Sequence, residues 1–179
     1  MRTMLLPACA LILTLPAVAY EFDLGSAGTV SVDVPNGWNQ PTETRPDESG
    51  VQFRISSTIE GNAAVIGTLI VGENFRAAAN RIKSEFELLC SPYLARSVED
   101  TVVIHDLDST ANAVGFYATL TDARMVDAPA GGSKTKTFTV CLIVLSDSVK
   151  ALVFLYCDNP ESTVFGQALA IAQSFRHDR

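Results

Sequence analysis

Two stretches of this chain place apolar residues at helical spacing, and each follows a run of strand-like segments with no helix between them. In the first, Phe75, Ala78, Ala79, Ile82, Phe86 and Leu89 recur every three or four residues. Arg81 with Glu85, and Lys83 with Glu87, stand at ion-pair spacing on the outer side of the same helix. In the second, Val164, Phe165, Ala168, Leu169, Ala172 and Phe175 repeat the pattern. An amphipathic helix needs an apolar surface on which to bury its stripe, and strands that follow one another without a helical crossover pair antiparallel. The arrangement predicts an α+β domain: an antiparallel β-sheet covered by two amphipathic helices.

Strands are predicted over residues 21–24, 29–34, 51–57 and 63–71 before the first helix, and over 101–107, 114–123, 135–145 and 151–157 before the second. Val30, Val32 and Val34 alternate with Ser31 and Asp33, the period of a half-buried strand. The last two strands form a hairpin turning near residues 147–149, and their unbroken apolar runs predict a sheet covered on both faces. Asn74 is placed to cap the first helix, which Ser91 and Pro92 should end. Asp158 or Asn159 caps the second, with Pro160 in its first turn, and Arg176 and His177 suit the dipole at its far end.

Two polar, breaker-rich stretches, residues 40–50 and 124–134, read as loops without packing duty and hence as contact surfaces. Gln40, Arg45, Asp47, Arg124, Asp127 and Lys134 are the candidate contact residues. Trp38, close after the strand end, is expected to anchor the core rather than to floor a ligand groove.

Residues 1–19 read as a leader. Arg2 gives a short positive start, residues 5–15 an apolar run too short to span a bilayer, and Ala17, Val18 and Ala19 the small-x-small pattern that a signal peptidase cuts after. The expected product is one domain over residues 20–179, periplasmic or secreted, with no membrane span after cleavage. A lipid anchor on Cys9 competes, but Pro7 and the short apolar stretch before it favour the cut after Ala19. No Asn-x-Ser/Thr sequon occurs, which leans towards a bacterial periplasm. The chain has 13 Lys and Arg against 20 Asp and Glu, a formal charge of −7, and Arg2 is the one charge in the leader, so the product is more acidic still. That balance repels phosphate backbones and anionic lipid and argues against nucleic acid as a partner.

Cys90, Cys141 and Cys157 remain after cleavage. In an oxidising compartment two of them are expected to bond. The hairpin pairs Cys141 with residues 154–156 and just misses Cys157, which leaves Cys90 as the expected partner of one of the other two. Burial of all three as small hydrophobes is the other reading.

Taken in order, a short strand leading to Val34, Pro35, Asn36, Gly37 and Trp38, strands to Val71, a helix from Asn74 to Leu89 and a closing helix ending in Ser174, Phe175 and Arg176 resemble the PsbP-like sandwich family. That family includes bacterial envelope proteins of the DcrB type. The resemblance implies a binding or assembly accessory rather than an enzyme, and it brings no catalytic residues with it.

His105 beside Asp106 and Asp108 offers metal-ligand types, but neighbours on a strand point to opposite faces, so no metal site is expected. His177, near the C-terminus, is expected to fray. The chain has no Gly-x-Ser-x-Gly elbow and no Cys-x-x-Cys pair, and Gly131, Gly132, Ser133 and Lys134 precede a strand where a phosphate loop needs a helix. No catalytic residue and no cofactor are expected. The first functional reading is an exported, non-enzymatic binding or accessory protein of the bacterial envelope that recognises a protein or small ligand through loops on a rigid sheet. The alternative is a small periplasmic hydrolase or thiol-dependent enzyme that pairs a free cysteine with His105.

Overall fold

The strand signals resolve into two sheets in the computed structural model, which describes residues 16–47, 50–60, 63–76, 79–108, 113–127 and 135–178. The small sheet has the order β1 (Ala17–Asp23), β2 (Thr29–Pro35) and β10 (Arg176–Asp178). The large sheet runs β3 (Thr42–Asp47), β4 (Gly50–Ser56), β5 (Ala64–Val71), β9 (Val149–Cys157), β8 (Thr137–Val144), β7 (Val114–Thr121) and β6 (His105–Leu107). Every pairing in both sheets is antiparallel. Helix α1 (Ala79–Leu94) and helix α2 (Thr163–Gln173) complete the α+β fold.

The large sheet is covered on both faces, as the apolar runs of β8 and β9 required. On one side Phe22, Val30, Val32 and Val34 of the small sheet and Val164, Ala168, Ile171 and Ala172 of α2 pack on Phe53, Ile55, Val65, Cys141, Val153 and Leu155. On the other, Ile82, Phe86 and Cys90 of α1 pack on Ala118, Val140, Leu142 and Val144. Phe53 links the layers of the first core, with ring centroids 5.2 Å from Phe22 and 5.4 Å from Phe175. Trp38 is buried beside it, and its indole N–H donates to Gln167 Oε1 at 3.0 Å, so it is a core anchor.

Several boundaries differ from the sequence reading. Residues 42–47, read as loop, form the edge strand β3, where Pro46 is tolerated because an edge has one unpaired side and the register shifts between Thr44 and Asp47. Asn74 does not cap α1. Its φ of 60° puts it in a left-handed turn, and the next residue, Phe75, donates its N–H to the Asp147 carbonyl at 3.0 Å. Pro92 lies inside α1 rather than after it. It stands in the last turn of the helix, where only the bond to the Leu88 carbonyl is forgone.

The strand read over 101–107 shrinks to His105–Leu107. Ser162, not Asp158 or Asn159, caps α2, its hydroxyl accepting from Phe165 N at 3.1 Å. Arg176 and His177 do not lie at a helix end but in β10. Arg176 pairs with Asp33 at 2.6 Å, and His177 Nε2 donates to the Ala27 carbonyl at 2.6 Å, so this histidine is held rather than frayed.

β1 begins at Ala17, three residues ahead of the expected cut, and residues 17–19 pair with residues 33–35. Those three side chains are exposed, whereas Phe22 is sealed in the core, so a cut after Ala19 spares the part of β1 that packs. Cys9 lies outside the described residues. Among the described residues no helix is long and apolar enough to cross a membrane.

Candidate functional site

The groups required by a thiol enzyme are close in sheet register but not in reach. Phe53, Gly67, Val153, Cys141, Tyr117 and His105 form one rung across the large sheet, so Cys141 and His105 share a face. They are two strands apart, about 10 Å between backbones. Tyr117 stands between them with its ring 5.0 Å from the His105 ring and stacked on it. Cys141 is sealed in the core while His105 is exposed at the sheet edge, so the imidazole cannot serve as base to this thiol.

The expected disulfide is absent, because all three thiols are free and buried. Cys90 belongs to the core under α1, and Cys141 and Cys157 to the core on the opposite face, so the large sheet lies between Cys90 and either expected partner. The hairpin register sets Cys141 opposite Val153 and Cys157 opposite Thr137. That puts the two cysteines four residues out of step, about 13 Å along the strands. The register differs from the sequence reading because the turn is Ser146, Asp147 and Ser148, closed by the Ser146 hydroxyl accepting from Ser148 N at 3.2 Å and Val149 N at 3.1 Å.

Burial raises all three thiol pKa values, to about 11 for Cys90 and about 12 for Cys157, with Cys141 pushed higher still. An unfolded thiol ionises at about 8.5, so the neutral folded thiols contribute stability that is complete below that pH. The contribution is lost as pH rises towards the folded values. Two outcomes are expected: a thiol reagent near neutral pH labels native protein only as fast as it unfolds, and the urea midpoint falls as pH is raised from 8 towards 11. Rapid labelling of any one thiol in the folded chain would contradict this.

The candidate contact residues do not form one surface. Gln40 precedes β3 at the end of the sheet where β7 delivers Arg124 and Asp127, but the two strands are five spacings apart, about 24 Å. Arg45 and Asp47 lie towards the opposite end of β3. Arg124 is engaged locally, with Nη2 2.7 Å from Asp122 Oδ2 and Nε 3.0 Å from Oδ1. Lys134 and the glycines at 131 and 132 lie outside the described residues. Among the described residues no group of three His, Cys, Asp or Glu side chains is placed to hold a metal ion, and His105, Asp106 and Asp108 do not converge.

One candidate residue does open onto a concave site. Arg45 lines a cavity of about 570 Å³ with Leu24, Gly25 and Ser26 from the β1–β2 turn, Gly50 and Val51 at the start of β4, and Val71 at the end of β5. The cavity is the mouth between the two sheets, where the β1–β2 turn overhangs the edge of the large sheet. Its size falls in the range of small-molecule sites. Arg45 is 45% exposed and its Nη2 is 3.6 Å from Glu43 Oε1, an ion pair longer than a hydrogen bond. Sequence reasoning found Arg45 but not its companions, since nothing local ties residues 24–26 to residues 45–51.

The solution structure of cyanobacterial PsbP (CyanoP) from Synechocystis sp. PCC 6803 superposes on this architecture with a TM-score of 0.52. The match covers 97% of this chain and 99% of that one. The fold is that of PsbP. Identity is 11%, so the likeness extends to the PsbP-like fold and not to any site on it. No family model matches the chain, and no curated protein matches it in sequence. Within this PsbP-like sandwich the candidate nucleophiles are walled into the cores, while one guanidinium, a hydroxyl and an apolar floor face water at the mouth. Such a set can bind and orient a ligand.

Proposed function

We propose that this chain is an exported, non-enzymatic binding or accessory protein of the bacterial envelope. It is cut after Ala19, works in the periplasm, and engages its protein or small-ligand partner at the mouth lined by Arg45. The observation that carries this reading is the division of the molecule: thiols sealed in two cores and separated from His105, against an open cavity bearing a weakly held cation. The PsbP-like fold agrees with an accessory role.

The test is affinity capture from envelope extract with the wild-type chain, Arg45→Glu, and the charge-reversed distal control Arg124→Glu. Wild type and Arg124→Glu should enrich the same protein or extractable small molecule, and Arg45→Glu should lose most of it. Recovery no different from a blank resin, or equal recovery by all three, would sink the proposal.

A further inference from the structure

We infer that the mouth takes a monocarboxylate carried on a short aliphatic body, a deepening that rests on the binding reading above. Leu24, Val51 and Val71 give the cavity an apolar floor, and Gly25 and Gly50 bring bare backbone to its wall, so an aliphatic chain finds contact there without displacing side chains. Arg45 is the one cation among the lining residues described. At 3.6 Å from Glu43 it lacks the close paired geometry of a guanidinium–carboxylate bond, so an incoming carboxylate can form the short two-bond contact that Glu43 does not.

The nearby acids set the charge of the ligand. Asp23 accepts from Gly25 N at 2.8 Å beside the mouth, and Glu43 remains next to Arg45. A single guanidinium that keeps Glu43 beside it can accommodate one negative charge, and that carboxylate disfavours a dianion such as phosphate. Ser26 supplies a hydroxyl that can donate to the second carboxylate oxygen.

The test is a titration of isotope-labelled protein with octanoate, octanol and octylammonium, followed by amide shifts. Octanoate should move residues 24–26, 50–51 and 71 and bind at least about tenfold more tightly than octanol, the ratio expected of one charge-assisted contact. Arg45→Ala should abolish that preference, bringing octanoate to the affinity of octanol. Octylammonium binding as well as octanoate, or an octanoate preference that survives Arg45→Ala, would overturn the inference. If octanoate fails while capture still depends on Arg45, the ligand class falls and the binding reading stands. If both fail, the mouth is not the site.

Discussion

Gly67→Val should destabilise this protein by at least about 3 kcal/mol and leave it largely unfolded under conditions where the wild type is marginal. Gly67 sits in β5, between β4 and β9, directly opposite Phe53 and Val153. A Cβ there would lie 2.5 Å from Phe53 Cζ and 2.8 Å from the Leu152 carbonyl oxygen. The carbonyl belongs to the neighbouring strand and cannot yield without breaking the ladder. Phe53 cannot move cheaply either, since it is wedged between Phe22 and Phe175. Urea denaturation of wild type, Gly67→Ala and Gly67→Val should give stabilities in that falling order. A valine variant as stable as wild type would mean that β4 and β5 are not paired in this register.

Phe175→Ala should cost about 3–5 kcal/mol, whereas Arg176→Ala, one residue on, should cost no more than about 1. Phe175 is completely buried and packs on Phe53. Beside it Ser174 ties α2 to the small sheet, its hydroxyl donating to the Ile171 carbonyl at 2.8 Å and accepting from Asp33 N at 2.9 Å. Truncating the ring empties the point where both layers meet. The Arg176–Asp33 pair is shorter and more conspicuous, but its side chains are 38% and 36% exposed, so solvent screens most of its Coulomb energy. Thermal or urea unfolding of the two variants decides the order. A larger loss from Arg176→Ala would mean that the C-terminal strand is held by charge rather than by packing.

What the sequence made legible was whatever a local period encodes. Val30, Val32 and Val34 announced β2, the stripe through Ile82 and Phe86 announced α1, and the apolar runs of β8 and β9 announced a sheet buried on both faces. What it hid depends on neighbours far along the chain. β3 carries Pro46 and mostly polar side chains, and it is a strand because β4 offers it an edge. β10 is three polar residues that become a strand only beside β2. Cys90 follows Phe86 by one helical turn and takes the buried place that the sequence reading assigned to Leu89, and the barrier between it and Cys141 is β8 itself, which no spacing reveals. The candidate site followed the same division. Arg45 stood out as a polar residue in a breaker-rich stretch, while the cavity it lines arises from the overhang of the β1–β2 turn, a product of how the two sheets stack.

The most direct test of the central claim, that the molecule acts by binding at the mouth between its sheets, is an amide shift map of the labelled protein with the partner or ligand recovered by capture. Changes should cluster at residues 24–26, at Arg45, and at residues 50–51 and 71, leaving His105 and residues 122–127 still. Changes centred on His105 and Tyr117, or on the Arg124 turn, with the mouth unmoved, would contradict it.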